Sequence, residues 1–390
     1  MNRVALFVAA SLGAFVFGVI STFWGQVVVP GLGDFANAVL LANPIGLVIC
    51  SLVCGSIIDK HGAKPVMIAG MALVALGVFG MGFASESQVF CIIMALCIGI
   101  GGSAIVTGAN VLVSDIADNA AARGKIANHV NNFFAVGVFI AGFAFGALTG
   151  AGAKMPQLAL AMGILGTAIC IFYIAVKFPP AAARGESMFD KAKAVLSRGM
   201  FWALAASLFL YVGVEGSVWY WLNKHLTGGL KFSADNAGVV ISVVALGIIA
   251  GRLVSSVVLS KRILGNLQLT LVGAICTAIC FTGLLFAEDM LAACVLAGLA
   301  GASMGPMFPT LLAATGSAFP NEVGSAIGLC ITGGWLGYVF IPPTVGYAQK
   351  WGVVSDLRTG LFLTSGAAIL MVVTNIIALS LLRRHHPHEN

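Results

Sequence analysis

Tyr211, Glu215, Trp219 and Asn223 recur at every fourth position of one apolar stretch. On an α-helix that spacing drifts only about 40° per step, so the four form one stripe with a carboxylate, an amide and two ring systems. Ring faces pack on the apolar C–H surface of a pyranose, while an amide and a carboxylate exchange hydrogen bonds with its hydroxyls. Glu215 also sits near the middle of its stretch, where an ionised carboxylate costs roughly 2.5–3.5 kcal/mol on insertion scales. A group that is costly to keep charged when dry and readily charged when wet has the chemistry of a proton carrier. Glu215 can equally bind a neighbouring helix or contact a solute without titrating. Trp219, with Tyr220 and Trp221, can instead form an aromatic belt at the outer interface.

Further polar residues lie inside other apolar stretches and are candidates for the same solute site: Gln26, Asn110, Asn131, Asn132, Thr332 and Trp335. Each is as well suited to binding helices together as to contacting a ligand. Asn375, in the last stretch, is the weakest candidate. His129 and His225 read as residues at loop edges. The run His385-His386-Pro387-His388 is terminal and lacks supporting ligands, and the nine cysteines fall in apolar stretches without a second ligand pair nearby, so neither metal nor cofactor is expected. Glycine runs without a following Lys-Ser/Thr give no phosphate loop. No nucleophile–base pair suggests an enzyme.

The elements that must position these residues are twelve apolar stretches, near 4–30, 37–58, 65–84, 88–113, 128–150, 156–178, 199–226, 234–260, 266–286, 289–316, 324–348 and 357–383. Each is long enough to cross about 30 Å of hydrocarbon as a helix. Charged residues make up only 9% of the chain and mean hydropathy is +1.03, which excludes an ordinary soluble domain. Period-2 alternation is missing, which excludes a barrel. The fold class is therefore an all-α membrane protein. The first apolar run reaches Pro30, past the core of a secretory signal, and reads as a retained helix. Residues 179–198 divide six stretches from six, giving bundles at 1–178 and 199–390 around a linker. That linker reads as a solvated connection in preference to a short amphipathic helix on the inner surface. With the N-terminus inside, 15 of the 20 lysines and arginines fall on the inner side, Arg252 counted among them, so both termini are expected in the cytoplasm. The +6 net charge thus reports membrane topology, and no basic stripe suggests nucleic acid.

Asn37-Ala38 and Asn236-Ala237 open the second and eighth stretches, a weak repeat of the kind that relates two six-helix bundles around a substrate site. After the second stretch comes Gly55-Ser56-Ile57-Ile58-Asp59-Lys60-His61-Gly62-Ala63-Lys64. This resembles the G-x-x-x-D-R/K-x-G-x-R/K signature of the major facilitator superfamily, which implies gating roles for Gly55, Asp59, Lys60, Gly62 and Lys64. The matching segment from Gly251-Arg252 to Arg262 lacks the acid, leaving Arg252 as its gating candidate. Tyr211-Val212-Gly213-Val214-Glu215, Gly305-Pro306-Met307-Phe308-Pro309-Thr310-Leu311, Gly324–Leu329 and Pro342–Tyr347 resemble the fucose permease-like sugar:proton symporters, with looser matches at Thr107–Asn110 and Asn132–Gly137. The resemblance implies proton-coupled uptake of a sugar or related polyol by alternating access, in a monomer of a bacterial inner membrane. Fucose-type members carry carboxylates in the first and fourth helices near the places of Gln26 and Val106, neither of which titrates here. Proton coupling then falls to Glu215. Two other readings keep the helices and change what they do, giving either an exporter of amphiphilic compounds or a sensor that binds without transporting.

Overall fold

The computed structural model describes residues 2–83, 86–116, 120–180, 188–320 and 322–385, and within them leaves out a few side chains, Asp59 among them. Twelve helices among the described residues are long and apolar enough to cross a membrane. They are α1 (Arg3–Leu32), α2 (Ala36–His61), α3 (Ala63–Phe83), α4 (Gln88–Ile116), α5 (Ala120–Gly150), α6 (Met155–Ala175), α7 (Gly199–Gly229), α8 (Ala234–Ser260), α9 (Asn266–Leu284), α10 (Met290–Ala318), α11 (Val323–Lys350) and α12 (Leu357–His385). Among the described residues the regular structure is all helical, as the apolar runs require: hydrocarbon offers no partner to a backbone N–H, and a helix satisfies its own. Several helices outrun their apolar runs. α5 begins at Ala120, eight residues before the run at 128, because helical hydrogen bonding does not stop where hydrocarbon does.

Helix ends follow local chemistry. The Asn2 side chain accepts from the N–H groups of Val4 and Ala5 at 3.1 and 3.2 Å, capping α1. Gly62, at φ 80°, ends α2 in a conformation that favours glycine, its N–H bonding Ile58 O at 2.7 Å. Lys64 Nζ donates to the carbonyls of Ile174 and Val176 at 2.8 Å each, placing a cation on the carbonyl-rich end of α6. Before α12, the Thr359 N–H donates to Asp356 at 2.7 Å and holds that carboxyl below its ordinary range.

Two compact units emerge. One comprises Met1–Gly185 with Trp219–Ser242, the other Glu186–Val218 with Val243–Asn390. In the first, α2 meets α4 so closely that a Cβ on Gly99 would collide with the Asn43 carbonyl. In the second, α9 packs on α10 and α12, and Thr270 Oγ1 donates to Asn375 Oδ1 at 2.6 Å, which gives Asn375 an interhelical role.

The segment read as a solvated connection contains a helix, Met188–Leu196, packed against α11. Val195 is fully buried and Trp202 Nε1 donates to Leu196 O at 2.9 Å, so apolar burial on one face outweighs the mixed charge of the sequence. Beside it, Arg198 lies 4.0 Å from Glu322 and over the ring of Phe319. Residues 181–187 are outside the description.

Candidate functional site

α7 carries the whole Tyr211–Asn223 stripe, and the two units divide it. Tyr211 and Glu215 belong to the second unit, with α8 from Val243 onward and α9–α12. There Gly251 brings α8 against α10, since a Cβ at that position would strike the Ala302 backbone. α10 is broken between Met304 and Met307. In an unbroken helix the Gly305 carbonyl would accept from residue 309, but residue 309 is proline and has no N–H. Arg252 Nε fills the gap, donating to Gly305 O at 3.0 Å. The same guanidinium interacts electrostatically with Glu215 and Tyr211, and the buried Tyr211 hydroxyl shares a hydrogen bond with Glu215. The result is one electrostatically linked set across three helices: hydroxyl, carboxylate, guanidinium, freed carbonyl. Among the described residues, Glu215 is the one carboxylate inside a membrane-length helix and away from its ends.

Arg252 therefore does not stand with the cations of an inner loop. It lies within the membrane-length part of α8, eight residues or about 12 Å of helix before Ser260. A carboxylate and a carbonyl are among its partners.

Trp219 and Asn223 belong to the other unit. α1 widens into a π-turn at Trp24–Val28, and α7 does the same at His225–Gly229, near the equivalent ends of the first helix in each half. Asn223 Nδ2 donates to Gly25 O at 3.3 Å, and a Cβ on Gly25 would meet the Trp219 carbonyl. The Trp219 ring lies 6.4 Å edge-on from Phe134. Neither Nε2 nor Oε1 of Gln26 has a hydrogen-bond partner, nor has Trp219 Nε1, although the two residues are only 4% and 5% exposed. Asn132 Oδ1 is a further unpaired buried atom, on α5. Each such group costs about 1–3 kcal/mol if it stays dry and unpaired, so a solute with hydroxyls would relieve it.

Trp219, Tyr220 and Trp221 are all buried, at 5%, 0% and 1% exposed, so they form no lipid-facing belt. Tyr220 is a residue that sequence reasoning missed. Its hydroxyl donates to Leu40 O at 3.3 Å and lies 3.4 Å from Asn43 Oδ1. Leu40 is the residue whose carbonyl Pro44 leaves without a helical partner, so an Asn-Pro pair inside an apolar stretch was the available signal. His225 is buried inside its π-turn and not at a wet loop edge.

The remaining candidates lie on α4, α5 and α11. Asn110 is exposed and donates to Val106 O of its own helix at 3.0 Å. Thr332 donates to Gly328 O at 3.0 Å, Trp335 is buried and Asn131 is half-buried. In the α2–α3 motif, Gly62 forms the turn and Lys64 caps α6, as above. Lys60 is exposed, a Cβ on Gly55 would meet open space, and the Asp59 side chain lies outside the description.

The sequence profile of the Major Facilitator Superfamily matches residues 6–342 and 226–390. No curated protein matches the chain in sequence. Several solved transporters share the fold. A variant of the nucleoside transporter NupG superposes with a TM-score of 0.80 at 14% identity, over 96% of this chain and 99% of that one. A D-xylose-proton symporter gives 0.77 at 17% over 96% and 97%. A variant of the E. coli fucose:proton symporter FucP gives 0.68 at 16% over 96% and 98%.

Proposed function

Because the chain belongs to the Major Facilitator Superfamily and is a multi-pass membrane transporter, we propose that it couples protons to the uptake of a small neutral polyhydroxylated solute, a monosaccharide or related polyol, by alternating access. The observation that carries this reading is Glu215, a carboxylate within an apolar helix that is partnered by a phenol and a guanidinium. Structures of the same fold that bear the names of sugar:proton symporters and a nucleoside transporter support a small polar solute, and the symporters support protons.

The steps follow from the groups present. Water reaching Glu215 from outside delivers a proton to its carboxylate, and the solute engages the unpaired amide of Gln26 and the indole N–H of Trp219. Amide, indole and Asn132 carbonyl oxygen together offer donors and acceptors without net charge, which suits hydroxyls better than an ion. Access then changes sides, the solute leaves, and inner water takes the proton from Glu215. A proton moving inward with a neutral solute gains about 2.3 kcal/mol per 100 mV from the membrane potential. Import, cytoplasmic termini, a bacterial inner membrane and a monomer belong to the same reading, as do inner-side gating roles for the α2–α3 motif.

The experiment is uptake of labelled monosaccharides into proteoliposomes, with and without an acid-outside gradient, against empty liposomes. Accumulation of one sugar above equilibrium only with the gradient is the expected result. Equilibration without the gradient would replace coupling by facilitation. No uptake of any sugar would remove the substrate class and bring export of amphiphilic compounds forward.

A further inference from the structure

We propose that Arg252 is a positioning residue that transmits the charge state of Glu215 to the break in α10; this rests on the proton-coupled reading above. Three observations carry it. The Gly305 carbonyl has no helical partner because residue 309 is proline, and Arg252 Nε supplies one at 3.0 Å. Arg252 also interacts electrostatically with Glu215 and Tyr211 on α7. And α8 cannot drift away from α10 without losing a close fit, since a Cβ on either Gly251 or Gly305 would strike the backbone of the other helix.

The guanidinium is thus shared between a carboxylate and the carbonyl end of the first half of α10, Met290–Met304, which carries the negative pole of that helix. While Glu215 is ionised, Arg252 divides its donors between the two. When Glu215 takes a proton, its negative charge is gone while the pull of the helix end persists, so Arg252 moves its weight onto α10 and stiffens the break. Proton release reverses this. The titratable groups that interact with Glu215 include Tyr211 on its own helix and Arg252 on α8, while Tyr338 of α11 packs its ring on the neighbouring Gly216.

The test reads the link and the transport separately, in purified full-length protein and in liposomes. Hydrogen exchange of segment 300–312 reports the break; counterflow against gradient-driven uptake reports coupling. Arg252→Gln is expected to speed exchange in that segment about tenfold or more and to cut gradient-driven uptake while counterflow persists. Pro309→Ala restores an N–H for the Gly305 carbonyl. Added to Arg252→Gln it should slow the exchange again without restoring gradient-driven uptake. Alone, it should slow exchange below wild type and lower gradient-driven uptake several-fold relative to counterflow, and this arm stands even if Arg252→Gln does not fold. Unchanged exchange in Arg252→Gln, full uptake in the double variant, or wild-type behaviour of Pro309→Ala would each overturn the proposal. Wild-type accumulation by Glu215→Gln would instead defeat the proton-carrier reading, leaving the exchange result to speak for the link alone.

Discussion

Pro44 in α2 and Pro309 in α10 each strip a helical partner from the carbonyl four residues earlier, and the two units fill the gap with opposite chemistry. In the unit of α1–α6, Leu40 O accepts from the neutral hydroxyl of Tyr220. In the unit of α8–α12, Gly305 O accepts from the guanidinium of Arg252. The contrast extends beyond the two carbonyls. Gln26, Trp219 and Asn132 leave neutral polar atoms buried and unpaired in the first unit; the second has such atoms at Thr364 and Ser365, but it alone links the acid Glu215 to Tyr211 and Arg252. Unpaired neutral groups are what a site for hydroxyls looks like before the solute arrives. A connected set with one acid and one base is what holds and releases a proton. On the proposed function, recognition therefore belongs to the first set and energy coupling to the second.

The largest effect should come from severing the charged set. Arg252→Met leaves Glu215 without its cation, and since both side chains are half-buried a cost of about 1–3 kcal/mol is expected. Thermal unfolding in detergent should show it, and combining Arg252→Met with Glu215→Gln should recover most of the loss. Strict additivity of the two variants would mean the pair does not interact.

The unpaired set should behave in the opposite sense. Gln26→Leu and Trp219→Phe remove polar atoms that have no partner in the empty protein, so stability should hold or rise while solute affinity falls about 10- to 100-fold, the equivalent of one or two hydrogen bonds. Equilibrium binding and melting on the same samples check both halves. A drop in stability with unchanged affinity would make these residues structural.

Smaller effects should come from the neutral cap of this contrast and from one cap outside it. Tyr220→Phe exposes the cost of one unpaired carbonyl, about 1 kcal/mol, and should increase labelling of a cysteine placed at Asn43 by a membrane-impermeant thiol reagent. No change in either melting or labelling would show that the freed carbonyl finds another partner. Lys64→Met, which uncaps α6, should cost about 0.5 kcal/mol in thermal unfolding and leave solute affinity untouched; a clear loss of affinity would give Lys64 a place in transport beyond capping.

The twelve helices are legible in the sequence because each apolar run is its own length measurement, and hydrocarbon leaves no alternative to a helix. The first run spans 4–30 and its helix covers Arg3–Leu32; the fifth spans 128–150 and the membrane-length part of its helix covers His129–Gly150. The Glu215 stripe is legible for the same reason, since helical spacing decides which residues share a face. Three things are not. Counting Arg252 with inner-loop cations uses its distance along the chain from the basic turn, while its place depends on a carbonyl that another helix leaves open. The burial of Trp219, Tyr220 and Trp221 reverses an interfacial reading that fits any aromatic cluster near a span end. The helix at Met188–Leu196 depends on an apolar face that α11 covers, which its own composition understates.

The most direct test of the division between recognition and coupling is Glu215→Gln in proteoliposomes, read by counterflow and by gradient-driven accumulation of the same solute. The expected result is counterflow within a few-fold of wild type and accumulation reduced to equilibrium, because the amide keeps hydrogen bonds but carries no proton across. Accumulation equal to wild type would contradict that division.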